Sequence, residues 1–336
     1  MVEFKDLARV TIFGSREKNG VSFEPARDIP SLTGKVILIT GGLGDLGRRA
    51  AIELARHGRP ARIYIADVPR SSEAKQDILD QINQEVREIP ESNVSDAKTD
   101  TEFRLLDLDL TSFDSVRACA AEFNAMEQRL DILLLNAGII RVALGTTREG
   151  YEVHFGLNYL GHALLSKLLL ATMLRTAEQQ TAARLVVVSS EGHAMVPKNG
   201  IQFDKLKTEC SQMSYLHRYG QSKLALIALV RELGRRHPQL TTAAVHPGRI
   251  AGAMGLSLAK ESLLVRLSAP LAPLICVPVQ VGVKNHLWAA TSPLVVSGKY
   301  YEPVGVPDRE SALAKDDNLS KRLWEWTETE LEGIAL

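Results

Sequence analysis

The stretch ITGGLGDLGRRA (residues 39–50) decides the fold of this 336-residue chain. An apolar run enters a glycine-rich turn, and the residues after the turn have a helical pattern. Such a unit supplies free backbone N–H groups and the positive end of a helix dipole, which together bind a pyrophosphate. The stretch therefore predicts a phosphate cradle for a dinucleotide. Where a second close-approach glycine is expected, however, the chain has Asp45.

The same alternation of strand and helix continues along the chain. Strands are predicted at residues 35–40, 61–66, 101–106, 131–136, 184–189, 241–246 and 298–303. Helices are predicted at residues 46–57, 73–89, 112–128, 156–175, 214–236 and 280–291. The central strands are nearly continuous apolar runs, as in parallel strands buried on both faces. The pattern predicts an α/β fold, a single-domain, Rossmann-like, doubly wound parallel sheet of about seven strands with helices on both faces.

The composition excludes several classes of function. Forty Lys and Arg balance 40 Asp and Glu, so no basic footprint favours nucleic acid or an anionic membrane. Three cysteines without paired spacing indicate a reducing compartment and no metal site: Cys119, Cys210 and Cys276. The first residues carry charges where a secretory signal needs an apolar core. We therefore expect a cytoplasmic protein, with residues 1–33 as an N-terminal arm and residues 34–336 as one domain.

No run is long enough to be a membrane-spanning helix, which needs about 18 apolar residues. The nearest approach, at residues 262–282, is interrupted by Arg266, Pro270, Pro273 and Pro278. Two interpretations of this segment stay open. It lies as an apolar lid over a pocket, or it makes a peripheral contact with a membrane surface.

Asp67 ends the second predicted strand, twenty residues beyond Gly47. A carboxylate at this place can accept hydrogen bonds from the adenosine ribose hydroxyls, and it repels a 2′-phosphate. The alternative is a turn or capping residue before Pro69. The ribose role predicts NAD(H) as the preferred cofactor, with NADP(H) as the alternative.

The helix predicted at residues 214–236 places Tyr219 and Lys223 four residues apart. Side chains at this spacing lie on one face of a helix and can reach each other. An ammonium beside a phenol favours the phenolate, which lowers the pKa of Tyr219 from its reference of about 10. Such a phenol is suited to general acid/base chemistry on an alcohol or ketone. An ordinary contact on the helix surface is the alternative, because this spacing is common.

Small and polar residues follow three other predicted strands. Ser189 and Ser190 come at the end of the fifth strand, where a hydroxyl can donate to a substrate oxygen. The run Asn136–Gly138 follows the fourth strand and lets a flat ring or ribose approach the backbone, and HPGRIAG (246–252) follows the sixth. Ligands of open α/β sheets bind outside the carboxyl ends of the strands. We therefore expect these residues to line one site.

Seven stretches of the chain together form a specific pattern: DIPSLTGKVILITGG, LDLTSFDSVR, LDILLLNAG, GYEVHFGLNYLGHALLSKLLL, RYGQSKLA, HPG and GKYYEP. Through them, residues 34–305 resemble the short-chain dehydrogenase/reductase superfamily. Within it, the chain is most similar to the retinol-dehydrogenase-like branch, particularly its many fungal members. The resemblance implies an NAD(P)-dependent oxidoreductase that acts on CH–OH groups.

The resemblance also implies a role for individual residues. The implied catalytic set is Asn158, Ser190, Tyr219 and Lys223. Tyr219 would exchange a proton with the substrate oxygen, Lys223 would lower its pKa and bind the nicotinamide ribose, and Ser190 would orient the carbonyl or alcohol. Asn158 would hold a water that links Lys223 to solvent. The implied cofactor-binding residues are Gly41, Leu43, Asp45, Leu46, Gly47, Asp67, Asp109, Leu110, Asn136, Ala137, Gly138, Tyr219, Lys223, Pro247, Gly248 and Ile250.

The chain departs from the family pattern at three positions. Asp45 replaces the middle glycine of the T-G-x-x-x-G-x-G motif, and Val68 stands where many members of the branch carry an Arg that grips NADPH. Gly252 stands where a Thr usually contacts the carboxamide. A carboxylate in the first turn of a helix can bind free N–H groups and complements the dipole. We therefore interpret the cradle as modified but working.

Two hypotheses of function remain after these observations. The first is hydride transfer between the nicotinamide and a lipophilic secondary alcohol or ketone, such as a retinoid, a steroid-like molecule or a secondary metabolite. Its support is the implied lid at about residues 252–279, which is rich in Leu, Val and Ala. The second is a fold reused for non-redox isomerisation or cyclisation, or as a binding scaffold. The resemblance further implies a homodimer through the helices at 156–175 and 214–236.

Overall fold

The fold is built on one sheet of eight strands in the described part of the chain. The computed structural model describes residues 20–87, 101–179, 183–250 and 276–334. The strand order is β3-β2-β1-β4-β5-β6-β7-β8, with parallel pairs throughout except for the antiparallel β7–β8 pair. The strands are β1 Val36–Thr40, β2 Arg62–Asp67, β3 Glu102–Asp107, β4 Ile132–Leu135, β5 Ala183–Val188, β6 Leu240–Val245, β7 Lys299–Glu302 and β8 Val306–Pro307. The predicted α/β doubly wound sheet is confirmed, with one strand more than the sequence indicates.

Helices connect the strands. In the described residues they are α1 Pro25–Asp28, α2 Asp45–Glu53, α3 Ser72–Arg87, α4 Phe113–Met126, α5 Gly161–Glu178, α6 Tyr215–Arg236, α7 Val279–Thr291 and α8 Asp317–Glu330. Two π-helical turns, Leu54–Gly58 and Phe155–Leu160, extend α2 and precede α5. The six predicted helices are therefore present, while α1, α8 and the two-residue strand β8 were not predicted.

The two faces of the sheet bury separate hydrophobic cores. Side chains of a strand point alternately to opposite faces. Val36 and Leu38 of β1 accordingly pack into one core, and Ile37 and Ile39 pack into the other. All four are fully buried, which explains the continuous apolar run in the sequence. The order of the strands reverses between β1 and β4, so the ligand crevice expected of this topology lies at their carboxyl ends.

The part of the predicted arm that the structure describes, residues 20–33, packs against the second core. Phe23, Ile29 and Leu32 are buried there. Leu32 lies so close to Gly58 that a Cβ on this glycine would come within 2.6 Å of Leu32 Cδ1. Most of the predicted lid, including Gly252, falls outside the described residues, which resume at residue 276.

Helix α8 packs across the two helices that the resemblance assigns to a homodimer. Leu323 of α8 is buried, and the hydroxyl of Thr327 lies 2.6 Å from that of Tyr159 at the start of the long helix. The guanidinium of Arg236 stacks over Trp324 at 4.7 Å from the ring centroid. Helix α8 would therefore lie within the interface of any homodimer formed through these two helices.

One helix in the described residues, Phe155–Glu178, is long and apolar enough to cross a membrane by length and composition. However, 72% of its most apolar window is buried inside the fold. Its apolar residues are therefore accounted for by packing against the sheet.

Candidate active site

The glycine-rich turn after β1 has the shape of a phosphate cradle. Gly41 has φ +61°, and a Cβ there would come within 2.7 Å of the Ala137 Cα. A Cβ on Gly47 would lie 2.4 Å from the Gly41 carbonyl oxygen and 2.7 Å from Asn136 Nδ2. Both glycines are thus required for close packing between the turn, α2 and the end of β4. The first turn of α2 directs its free N–H groups into the crevice region, which fits a pyrophosphate.

Asp45 is the first residue of α2, and it is exposed. The N-cap is Gly44, which provides no side chain to cap the helix. An acidic side chain in the first turn complements the helix dipole without filling the cradle. The structure therefore accommodates the departure from the family motif at the surface of the turn.

Thr40, the last residue of β1, joins the turn to β4. Its Oγ1 accepts hydrogen bonds from the backbone N–H groups of Asn136, at 3.0 Å, and Ala137, at 3.1 Å. In return, Asn136 Nδ2 donates to the carbonyl oxygens of Thr40, at 3.1 Å, and Gly41, at 3.0 Å. The side chain of Asn136 therefore holds the glycine-rich turn in place, a role that sequence reasoning did not assign to it.

The same threonine hydroxyl contacts His162 Nε2 at 2.9 Å. Because Thr40 Oγ1 already accepts two amide protons, its own proton is the one shared with His162. The imidazole is thereby assigned its proton on Nδ1, which donates to the Asn158 carbonyl oxygen at 2.8 Å. Burial lowers the pKa of His162 to about 4, consistent with this neutral form. A chain of hydrogen bonds thus connects the cradle to Asn158.

Asp67 lies against the glycine-rich turn from the end of β2. Its Oδ2 accepts from the Leu43 N–H at 3.0 Å, and its Oδ1 accepts from the Val68 N–H at 2.9 Å. The carboxylate of Asp67 therefore caps two backbone N–H groups, as the alternative interpretation expects. A carboxylate has about four acceptor sites, so these two bonds leave capacity for ribose hydroxyls.

The four residues of the implied catalytic set converge at the carboxyl ends of β4 and β5. Tyr219 and Ser190 lie on either side of Gly192, where a Cβ would come within 2.8 Å of Tyr219 Cε1 and 3.3 Å of Ser190 Oγ. Lys223 Nζ donates to the Val188 carbonyl oxygen at 2.8 Å and lies 5.6 Å from the centroid of the Tyr219 ring. A Cβ on Gly138 would come within 3.2 Å of Lys223 Nζ and 3.3 Å of Asn158 Oδ1. The hydroxyl of the neighbouring Ser189 donates to the backbone carbonyl oxygen of Lys223 at 2.8 Å.

Asn158 is fully buried in the π-helical turn before α5. Such turns are frequent at functional sites. Its Oδ1 accepts from the Ile139 N–H at 2.8 Å, and its Nδ2 donates to the Ile139 carbonyl oxygen at 3.0 Å and to Ser222 Oγ at 2.9 Å. Asn158 therefore fastens the segment after β4 to helix α6, in addition to any role toward a water.

The pKa of Tyr219 beside Lys223 differs from the sequence-based expectation. Burial raises the pKa of Tyr219 to about 12, opposed by the hydrogen bond from Ser190 and supported by the charge of Glu191. Burial also lowers the pKa of Lys223 to about 7. The pKa of Tyr219 is therefore raised, contrary to the expected lowering by Lys223, because desolvation of the phenol is the largest contribution.

The remaining implied cofactor residues lie on loops at the same edge. Asp109 Oδ1 accepts from the backbone N–H and the hydroxyl of Thr111 just before α4. The Leu110 carbonyl oxygen lies against Gly161, where a Cβ would come within 2.6 Å of it. After β6, Ile250 pairs with Val277 in a parallel bridge. The other members of this group follow β6 or belong to the glycine-rich turn: Leu46, Pro247 and Gly248.

Sequence reasoning missed an ion pair beside the catalytic set. Arg249 Nε donates to Glu191 Oε1 at 2.7 Å, which joins the loop after β6 to the residue that follows Ser190. Thr40 and His162 were missed as well. The strand-end position of Thr40 and the GH pair after Asn158 were visible, but their hydrogen bonds depend on tertiary contacts between β1 and α5.

Comparisons with known proteins agree with this geometry. A family profile described as short chain dehydrogenase matches residues 35–202. An uncharacterised oxidoreductase of Schizosaccharomyces pombe is 34% identical over 318 residues, which cover 91% of this chain and 88% of that protein. Human retinol dehydrogenase 14 is 36% identical over 306 residues, which cover 88% of this chain and 85% of that protein.

Solved structures show the same fold. A crystal structure of an uncharacterised protein from Mycobacterium paratuberculosis superposes with a TM-score of 0.66 at 26% identity, covering 93% of this chain and 97% of the other. The Pseudomonas aeruginosa RhlG/NADP active-site complex gives a TM-score of 0.59 at 23% identity, covering 82% and 96%.

The chain belongs to the short-chain dehydrogenase/reductase family. Its similarity to retinol dehydrogenases 12, 13 and 14 and to fungal oxidoreductases confirms the expected retinol-dehydrogenase-like branch. It is therefore an NAD(P)-dependent dehydrogenase/reductase that acts on CH–OH groups of a small-molecule substrate.

Four buried histidines near the site make the stability of the fold depend on pH. Burial lowers the pKa of three of these side chains to about 4, namely His162, His193 and His286. It lowers the pKa of the fourth, His246, to about 3. The unfolded chain binds protons near pH 6.5, whereas the folded chain does not until the pH nears 4. The free energy of unfolding should therefore fall as the pH decreases from about 6.5, by about 2 kcal/mol per histidine at about pH 5.

Urea unfolding at about pH 6.5 and at about pH 5, followed by circular dichroism, measures this loss in the free energy of unfolding. His162→Gln should reduce the loss by about the share of one histidine, whereas the exposed control His217→Gln should leave it unchanged. A free energy of unfolding that is the same at both pH values would contradict the assignment of neutral buried imidazoles.

Proposed function

We propose that this enzyme transfers hydride between the nicotinamide of NAD(H) and a lipophilic secondary alcohol or ketone, with Tyr219 as the general acid/base. The observation that carries the proposal is the convergence of Tyr219, Ser190 and Lys223 at the edge of the sheet beside Gly138. The side chains of Tyr219 and Ser190 both lie against Gly192. A carbonyl oxygen placed between them accepts two hydrogen bonds, which stabilise the negative charge that develops on it.

The nicotinamide, when bound, supplies or accepts the hydride. The protein's own residues manage the proton. In reduction, Tyr219 gives its phenolic proton to the substrate oxygen, and in oxidation the phenolate takes the proton back. Lys223, with a pKa lowered to about 7 by burial, is suited to exchange a proton near neutral pH and to donate to ribose hydroxyls. Ser190 holds the oxygen in line with the phenol.

Two features support a lipophilic substrate. The segment implied as a lid is rich in Leu, Val and Ala. Several relatives are named retinol dehydrogenases, and retinol is an apolar alcohol. The candidate substrates are therefore retinoid-like, steroid-like or secondary-metabolite alcohols and ketones. We place this activity in the cytoplasm, with a peripheral membrane contact through the apolar segment as an addition.

The preference for NAD(H) is proposed from Asp67. Its carboxylate lies beside Leu43 of the cradle, within the crevice where the adenosine half of a dinucleotide binds in this fold. A 2′-phosphate on that ribose would meet the same negative charge. The exposed Val68, which follows it, offers no cation to offset the repulsion.

Tyr219→Phe tests the acid/base role. Removing the hydroxyl should lower turnover by about 100-fold or more, in line with the contribution of a general acid/base, and leave cofactor affinity within about twofold. NADH and NADPH oxidation is measured with a panel of lipophilic ketones and retinal. The control is Tyr215→Phe, which removes a phenol from the first turn of the same helix. Turnover retained in Tyr219→Phe would refute the assignment.

Asp67→Asn tests the cofactor preference. The amide keeps an acceptor oxygen for the backbone but loses the charge, so the ratio of the NADP+ and NAD+ dissociation constants should move by about tenfold toward NADP+. Fluorescence titration of the protein measures both constants, with the exposed Glu73→Gln on α3 as the control. An unchanged ratio would remove Asp67 from the cofactor site.

A further inference from the structure

A charged cluster lies buried beside Tyr219. Its members are Glu152, His154 and Arg218, which are 1%, 0% and 4% exposed. Glu152 and His154 precede the π-helical turn that carries Asn158, whereas Arg218 directly precedes Tyr219 on α6. The cluster thus joins the two segments on which the catalytic set depends.

The hydrogen bonds of His154 define its charge. Nδ1 lies 2.8 Å from Glu152 Oε1, and Nε2 lies 2.8 Å from the Ile140 carbonyl oxygen. A carboxylate and a carbonyl are both acceptors, so both ring nitrogens have to donate. Only the imidazolium satisfies the two contacts at once, since a neutral ring would place a lone pair against an oxygen.

Glu152 is in turn surrounded by donors. The Phe155 N–H donates to its Oε2 at 2.8 Å, and Arg218 Nη1 lies 3.5 Å from its Oε1. One buried carboxylate therefore faces two buried cations. The cluster keeps one net positive charge. Removal of either cation would make the electrostatic potential at the surrounding side chains less positive.

The nearest functional neighbour of this charge is Tyr219. The rings of His154 and Tyr219 are 6.5 Å apart between centroids and meet at 79°. The other groups that face Tyr219 are Lys223 on its own helix, Ser190 and Glu191 after β5, and Tyr300 on β7. Among these, Glu191 opposes a phenolate, and Lys223 holds its charge weakly. The cluster is therefore a positive charge that does not depend on Lys223.

We propose that His154, held as an imidazolium by Glu152 and Ile140, is a positioning residue that fixes the Tyr219 ring and favours its phenolate form. The proposal rests on the proposed acid/base role of Tyr219 for its functional meaning. It gives the enzyme a second source of positive potential at the phenol, besides Lys223. A unit charge at about this separation, with an effective dielectric constant of about 30, moves a titration by about one pH unit.

The test measures Tyr219 directly and needs no substrate. The full chain is produced with 3,5-difluorotyrosine at position 219, whose more acidic phenol brings the titration into an accessible range. The ¹⁹F resonance is followed against pH in the otherwise unchanged protein and in His154→Gln. The midpoint should rise by about one pH unit in His154→Gln. It should stay unchanged in His217→Gln, which removes an exposed histidine two residues from Tyr219.

A merely structural role would lower thermal stability without moving the midpoint, and this result would overturn the proposal. A second measurement covers the case in which His154→Gln does not fold. ¹H–¹⁵N correlation of the histidine side chains in the unchanged protein should show protons on both nitrogens of His154 at pH 7, and a single proton there would also overturn it. Full turnover in Tyr219→Phe would instead refute the acid/base role and leave the titration result intact.

Discussion

The hydroxyl of Thr40 is the contact on which the rest of the site depends. It accepts hydrogen bonds from the backbone N–H groups of Asn136 and Ala137 and donates its own proton to His162. Thr40 therefore joins β1, β4 and α5 at the position where the strand order of the sheet reverses. Thr40 and His162 are fully buried, and a buried polar group left without a partner costs about 1–3 kcal/mol. The shape of the cradle and the position of Asn158 therefore depend on one side chain.

Much of the fold could be predicted from the sequence, because buried parallel strands and amphipathic helices leave distinct patterns. The apolar run of β1 and the alternation that follows it indicated seven strands and six helices within a few residues of their bounds. Strand β8 has two residues, too few for any periodicity, and α8 lies beyond the last predicted strand. Helix α8 also covers a face that the family resemblance assigned to a partner subunit, and only the tertiary packing of Leu323 reveals this.

The candidate site was predicted in its residues but not in its electrostatics. Spacing on a helix placed Tyr219 and Lys223 together, and the structure confirms that proximity. Spacing carries no information about burial, however, and burial moves the pKa of the phenol upward and that of the lysine downward. The positive charge that we propose near the phenol comes instead from the cluster of Glu152, His154 and Arg218, in which the state of His154 follows only from the acceptors around its ring.

We propose that the glycine-rich turn after β1, in spite of its Asp45, forms a working dinucleotide cradle that Thr40 anchors. Isothermal titration calorimetry of NAD+ against the full chain, Thr40→Ser and Thr40→Val tests it most directly. The full chain and Thr40→Ser should bind one NAD+ per chain. Thr40→Val should lose about tenfold or more in affinity, since the Ala137 N–H loses its acceptor and the Asn136 N–H keeps only the Leu134 carbonyl oxygen. Equal affinity in Thr40→Val, or no binding by the full chain, would contradict the account.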